Sequence, residues 1–83
     1  MDIIFKKSAF LHKVSEADIK YAFMNPYYDG PIEEDGKSEN RFLRLGFDRS
    51  GNLLEMMYNE YGDIFCIFHV MKCRNIFFHL LDN

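Results

Sequence analysis

Six side chains that could contact or cleave a phosphodiester lie in or beside the predicted strands of the second half of the chain: Arg41, Arg44, Tyr58, His69, Lys72 and Arg74. Cleavage of RNA through its 2′-hydroxyl requires a group that removes a proton, a group that returns one, and cations beside the phosphate. It requires no metal ion. We therefore predict a surface that binds RNA and cleaves it.

The residues divide into two predicted roles. The predicted catalytic residues are His69, Arg44, Lys72 and His12, and the predicted substrate contacts are Arg41, Arg74 and Tyr58. Tyr58 and Glu55 are further candidates for proton transfer. A purely structural interpretation stays open for three of them: His69 as a strand histidine held by one hydrogen bond, Arg44 as a solvated cross-strand charge, and Tyr58 as a packed aromatic side chain.

Metal-dependent and nucleotide-cofactor chemistry is not indicated by the sequence. Cys66, His69 and Cys73 are potential metal ligands, but residues three apart in a strand point to opposite faces. No fourth ligand stands at a spacing typical of zinc sites, and no phosphate-binding glycine motif is present. We predict neither a metal nor a cofactor.

Three predicted strands carry most of these residues. They cover about Arg41–Phe47, Leu53–Tyr58 and Ile64–Met71, and polar turns such as Asp48–Asn52 separate them. Strict alternation places Tyr58 and Met56 on one face and Glu55 on the other, Arg44 with Gly46, and His69 with Phe65, Ile67 and Met71. Residues 2–5 fit either a short strand or the start of a helix.

Helices are predicted on both sides of these strands. Ser8 could cap one or two helical turns, and Ser15 with Asp18 forms a capping box that predicts a helix over 15–24. Tyr27–Asn40 reads as a loop with turn signals such as Asp35-Gly36. A C-terminal helix over Cys73–Leu81 has one apolar stripe, formed by Cys73, Ile76, Phe77, Leu80 and Leu81. Phe78 lies off that stripe, and it is either an exposed partner contact or part of a wider buried face.

Size and composition bound the class of protein. Eighty-three residues make a single domain, 1–83, with a modest core and little room for a deep cavity, which favours a polymeric substrate. The net charge of −3 is unusual for a protein that binds nucleic acid, but an acidic stretch over 29–40 lies beside basic strands. No signal peptide or membrane span is visible, and the two cysteines are expected to be free thiols, so we predict a cytoplasmic protein.

Five segments, taken in order, resemble the BrnT toxins, which are ribonucleases of type II toxin–antitoxin pairs with a RelE-like fold. These segments are His12–Ile19, Ala22–Pro26, Arg41–Gly46, Gly51–Leu54 and the strand that ends at Lys72. The resemblance implies an α+β fold, here a three- or four-stranded antiparallel sheet with N-terminal helices and a C-terminal helix. It also implies an RNA substrate and a cognate antitoxin with a DNA-binding domain.

The chain departs from the BrnT pattern at one position that bears on activity. Where the family has an arginine near the end of its last strand, this chain has Met71, followed by Lys72. Lys72 or Arg74 could replace the lost charge. The alternative function is a non-enzymatic interaction module, or an inactive relative of the toxins. We expect either Phe78 or the acidic stretch 29–40 to contact an antitoxin or a second copy of the chain.

Overall fold

The computed structural model describes residues 1–34 and 37–82, which form one mixed sheet with a single α-helix. The strands are Asp2–Phe5 (β1), Pro26–Glu34 (β2), Lys37–Phe47 (β3), Leu53–Tyr61 (β4) and Ile64–Lys72 (β5). The helix is Glu16–Met24 (α1), and two 3₁₀ segments cover Lys7–Phe10 and Asn75–Leu81.

The sheet has five strands in the order β1-β5-β4-β3-β2. Strands β2 to β5 form an antiparallel meander, and β1 pairs in parallel with β5, with Asp2 opposite Ile64 and Phe5 opposite Ile67. The predicted three- or four-stranded, purely antiparallel sheet is therefore wrong. Residues 2–5, which the sequence left open between strand and helix, form a strand because they pair with the edge of β5, more than sixty residues away in the chain.

Strand β2 replaces most of the predicted loop Tyr27–Asn40. It pairs with β3 from Pro26 opposite Gly46 to Glu34 opposite Lys37, with register shifts near both prolines. Proline lacks a donor for the ladder and is tolerated where one side of the strand is unpaired. Pro26 and Pro31, which counted as turn signals in the sequence, are therefore compatible with an edge strand. The predicted Asp35-Gly36 turn lies outside the described residues.

The helical predictions hold only for α1. Ser15 caps this helix, and its hydroxyl accepts a hydrogen bond from the Asp18 backbone nitrogen at 3.2 Å. The predicted additional N-terminal helix and the C-terminal helix are both wrong, because these segments are 3₁₀ turns. With three residues per turn the stripe of a 3.6-residue helix does not form, and Ile76 is 58% exposed. Phe78 is exposed, which is one of the two alternatives that the sequence left open.

The core lies between α1 and one face of the sheet, which we call the α1 face. Ile19, Ala22 and Phe23 of the helix pack against side chains of β4 and β5. The β4 and β5 side chains in this cluster are Leu54, Met56, Tyr58, Ile67 and Val70. Tyr58 and Met56 share this face and Glu55 lies on the opposite one, the second face, as alternation predicted.

Gly46 allows α1 to approach β3 closely. A β-carbon at this position would collide with the carbonyl oxygen of Ala22. We expect Gly46→Ala to lower the free energy of unfolding by about 1–3 kcal/mol, because backbone must move to make room. Chemical denaturation measures this loss. Gly51→Asn is the control, since Gly51 has a φ of +83° but open space around it, and asparagine tolerates that conformation. Equal stability of Gly46→Ala and the native chain would contradict the close approach.

A β-bulge in β5 decides which way His69 points. Met57 is opposite His69, but the next residue, Tyr58, is opposite Ile67, so Phe68 is the extra residue. The bulge inverts the alternation. Ile67 therefore lies on the α1 face and His69 on the second face. The prediction that His69 shares a face with Phe65 and Ile67 is wrong, whereas its sharing a face with Met71 is confirmed.

Candidate functional site

A fully buried carboxylate on the second face is the centre of the site. Glu55 is 0% exposed and lies in β4 between Leu45 of β3 and Met71 of β5. Its Oε2 lies 2.8 Å from Nε2 of His69 and accepts a 2.7 Å hydrogen bond from Nη2 of Arg74. The backbone nitrogen of Arg74 donates to Oε1 at 2.9 Å. We call Glu55, His69 and Arg74 the Glu55 network.

The network keeps Glu55 ionised. Loss of solvent around the buried carboxylate acts to raise its pKa, but the hydrogen bonds from the Arg74 side chain and backbone and from His69 outweigh this effect, so the pKa of Glu55 is lowered. An ionised carboxylate can only accept hydrogen bonds. Nε2 of His69 therefore carries the hydrogen that faces Glu55. In the neutral imidazole, this leaves Nδ1 as the nitrogen with a free lone pair.

A second histidine adjoins the network. The ring centroids of His12 and His69 are 5.9 Å apart, and the rings meet edge to face. His12 lies in the turn after the first 3₁₀ segment, and the Ser8 hydroxyl joins that segment to β5 by donating to the carbonyl oxygen of Phe68. Two predicted catalytic residues, 57 positions apart in the chain, are thereby brought together.

Arg44 and Tyr58 lie on the other face of the sheet, away from the two histidines. Nη1 of Arg44 donates to the Phe23 carbonyl oxygen at 2.8 Å, and its guanidinium carbon lies 4.0 Å from the centroid of the Phe23 ring. Asp29 accepts hydrogen bonds from Nε of Arg44 at 3.2 Å and from the Tyr58 hydroxyl at 2.6 Å. These contacts join α1, β2, β3 and β4.

The Tyr58 hydroxyl keeps its proton and is a poor acid in this position. Burial, together with the hydrogen bond to Asp29, raises the pKa of Tyr58 well above its usual value of 10.0. The Arg44 side chain is only 13% exposed. The interpretation of Tyr58 as a packed aromatic side chain accounts for its contacts. The interpretation of Arg44 as a solvated cross-strand charge is wrong, because its guanidinium is largely buried and paired.

The remaining predicted phosphate contacts lie far apart. Lys72 is exposed at the end of β5 opposite Leu54, whereas Arg41 lies next to Phe42, which is opposite Tyr58. Leu54 and Tyr58 are four residues apart along β4, which is about 13 Å at 3.3 Å per residue. Arg74 reaches Glu55 from the segment after β5. In sequence, Lys72 and Arg74 lie three and five residues after His69. Arg41 lies on another strand, β3.

Lys72 also lines an apolar groove at the end of the sheet, which we call the Phe78 groove. Phe47, Leu53, Phe78 and Leu81 form its walls. Phe47 and Phe78 are 44% and 48% exposed. Tyr27 borders the groove, with its ring centroid 6.2 Å from that of Phe47 and its hydroxyl 3.4 Å from the Leu81 carbonyl oxygen. Several apolar side chains are therefore exposed together at this end of the molecule.

Cys73 is not set up for nucleophilic chemistry. Burial, and then the negative charge of Glu55, raise the pKa of the Cys73 thiol, which keeps it protonated. Within residues 1–34 and 37–82, no three His, Cys, Asp or Glu side chains cluster closely enough to hold a metal ion. In the same part of the chain, no helix has the length and apolar character needed to cross a membrane.

Glu55 was recognisable in the sequence only as one of several proton-transfer candidates. Its signal is an acidic residue inside the otherwise apolar run Leu53–Met57. An acid on a strand face that is covered must be paired. Comparison with known proteins adds no assignment, since neither a family model nor a curated protein matches this chain.

Proposed function

We propose that this chain is a ribonuclease of the toxin–antitoxin type that cleaves RNA without a metal ion. The observation that carries the proposal is the contact of His12 with His69, whose orientation is set by the buried Glu55. Two histidines side by side supply both the base and the acid that cleavage through the 2′-hydroxyl needs. The resemblance to BrnT toxins in five ordered segments supports the class.

In the proposed reaction His69 acts as the base and His12 as the acid. Nδ1 of His69 takes the proton from the 2′-hydroxyl, and the 2′-oxygen forms a bond to phosphorus. The bond from phosphorus to the 5′-oxygen breaks, and the His12 imidazolium gives its proton to that oxygen. The products are a 2′,3′-cyclic phosphate and a 5′-hydroxyl. Glu55 is a positioning residue that also stabilises the His69 imidazolium, as the carboxylate does in catalytic triads.

Lys72 is the proposed phosphate contact. It alternates onto the face opposite His69, but it is exposed at the end of β5 and lines one pocket with His12. A positive charge beside His12 offsets the charge that builds up on the phosphate. Met71 occupies the position of the BrnT arginine on the second face, opposite Glu55. An arginine in its place would add a second cation beside the histidines.

The partner and location in this proposal come from the resemblance. A cognate antitoxin with a DNA-binding domain blocks the toxin in the cytoplasm. The Phe78 groove is the proposed contact surface, because exposed aromatic side chains are typical of interface cores. The same groove offers a surface for a second copy of the chain.

A non-enzymatic interaction module is the second candidate function. Two observations favour it: Arg44 is engaged within the fold, and the Phe78 groove exposes apolar side chains at the end of the sheet. This module would bind its partner through the Phe78 groove and would have no activity on RNA.

The decisive experiment is cleavage of a short RNA by the purified chain in the presence of a metal chelator. We expect fragments that end in a 2′,3′-cyclic phosphate, because the 2′-oxygen is the nucleophile. DNA of the same sequence is the matched control and is expected to stay intact, since it lacks the 2′-hydroxyl. We expect Met71→Arg to cleave the RNA faster than the native chain. If neither protein cleaves the RNA, the ribonuclease proposal is wrong and the interaction module stands. If DNA is cut equally, the mechanism through the 2′-hydroxyl is wrong.

A further inference from the structure

A polar pocket adjoins His12 and is separate from the Glu55 network. It has a volume of about 480 Å³ and lies between the loop that leads into α1 and the turn that joins β3 to β4. His12, Lys13, Ser15 and Asp18 line it from the first side, and Asp48 and Asn52 from the second. Leu54, Met71 and Lys72 complete it. We call it the His12 pocket, and its size is within the range of small-ligand sites.

The His12 pocket combines an apolar floor with a polar rim. Val14, Leu54 and Met71 present carbon and sulfur atoms, a surface on which the flat face of an aromatic base can lie. Ser15, Asp18, Asp48 and Asn52 bring oxygen atoms to the rim. The two exposed lysines, Lys13 and Lys72, add positive charge.

Hydrogen bonds within the protein hold the rim in place, and its carboxylate oxygens can still accept further hydrogen bonds. Asp48 Oδ1 accepts from the backbone nitrogens of Ser50 and Asn52 at 2.9 and 2.8 Å, which forms the turn. Asp18 accepts from Arg49 Nε at 3.0 Å, an ion pair that joins the turn to the helix. Each carboxylate has about four acceptor positions. The walls of the pocket are thus fixed before any ligand binds.

We infer that the His12 pocket binds one nucleotide of the RNA and prefers a base that carries an exocyclic amino group. This inference rests on the proposed ribonuclease function, because it places the nucleotide next to His12. Carboxylates are acceptors only and pair with amino groups, whereas the edge of uracil that bears two carbonyl oxygens would face them unfavourably. Lys13 and Lys72 bind the phosphate of the same nucleotide.

Binding of single nucleotides tests the inference without any cleavage. The probes are the 3′-monophosphates of adenosine, cytidine and uridine, titrated into the native chain by calorimetry and by amide chemical shifts. We expect the adenosine and cytidine nucleotides to bind about five- to tenfold more tightly than the uridine nucleotide, the worth of roughly one hydrogen bond. The shifts should concentrate on residues 12–15, 48–54 and 71–72.

Two variants test the location of the site, one in the part that binds the base and one in the part that binds the phosphate. Asn52→Ala is expected to reduce the preference among bases, because the Asn52 amide donates to Oδ2 of Asp48 at 3.2 Å and orients that carboxylate. Lys72→Ala is expected to weaken the binding of all three nucleotides equally. Glu60→Ala, an exposed residue on another part of β4, is the control and is expected to bind as the native chain does.

The outcomes distinguish this inference from the proposed function. Selective nucleotide binding at residues 12–15 and 48–54 supports the pocket even if RNA is not cleaved. The absence of cleavage would then contradict only the ribonuclease proposal. RNA cleavage without selective binding, or shifts confined to other residues, would overturn the pocket and leave the ribonuclease proposal intact.

Discussion

Replacement of His69 with alanine is expected to slow RNA cleavage by roughly 10²–10⁴-fold, the usual loss when a general base is removed. The loss should appear mainly in kcat, because His69 is proposed to act in the transition state rather than in binding. The measurement is the rate of cleavage of a defined RNA under single-turnover conditions. His69 is only partly buried, with a side chain that is 23% exposed, so the variant is expected to fold.

The matched control for this variant is His79→Ala. His79 is an exposed histidine in the second 3₁₀ segment, and its loss is expected to leave the rate unchanged. Circular dichroism of both variants establishes that they are folded. A folded His69→Ala variant that cleaves RNA as fast as the His79→Ala control would remove His69 from the mechanism.

The Glu55 network is expected to contribute the largest single polar term to stability. Glu55→Gln keeps the shape of the side chain but places an amide where Arg74 and His69 need a charged acceptor. Since breaking a buried ion pair costs about 3–5 kcal/mol, and since Arg74 is 45% exposed and can recover water, we expect a loss of about 3 kcal/mol. Denaturation in urea at pH 7 measures this loss. Such a change is a large share of the stability of a domain of this size.

The same variant predicts a dependence on pH with a definite sign. The pKa of Glu55 is lower in the folded chain than its ordinary value of 4.5. Its ionised form therefore stabilises the fold at pH values above about 4.5, and this contribution is lost as the pH falls through the lowered pKa. The difference in unfolding free energy between the native chain and Glu55→Gln should be full at pH 7 and should shrink in acid.

An exposed ion pair provides the control for both measurements. Glu16 and Lys20 form a pair on α1 with side chains that are 57% and 51% exposed. Exposed pairs of this kind contribute about 0.3–0.5 kcal/mol, so Glu16→Gln should barely change the stability. If Glu55→Gln is as stable as Glu16→Gln at pH 7, the buried network does not hold the fold in the way described.

Local features of the fold were predictable because they depend on neighbouring residues. The capping box of Ser15 and Asp18 predicts α1, since the hydroxyl of one residue meets the backbone nitrogen of the other three positions later. The turn between β3 and β4 was predictable for the same reason. Its Asp48 binds the next backbone nitrogens, and its Gly51 adopts a positive φ. Alternation also placed Tyr58 and Glu55 on opposite faces correctly.

Features that depend on pairing between distant segments were not predictable. Residues 2–5 are a strand because β5 provides an edge, and β2 is a strand because an edge position tolerates its prolines. The 3₁₀ form of the C-terminal segment likewise departs from a sequence pattern that fits an α-helix.

For the candidate site, the sequence by itself determined the residue types: two histidines, a strand acid and several cations. Only the tertiary structure decided which of them meet. The bulge at Phe68 turns His69 to the face of Glu55, and the turn after the first 3₁₀ segment brings His12 to it. A bulge is a property of the register between two strands, and periodicity within one strand carries no record of it. Arg44 lies on the opposite face because the pairing of β3 with β4 is regular and places it opposite Met56. The Phe23 carbonyl oxygen of α1 and the carboxylate of Asp29 are its acceptors there.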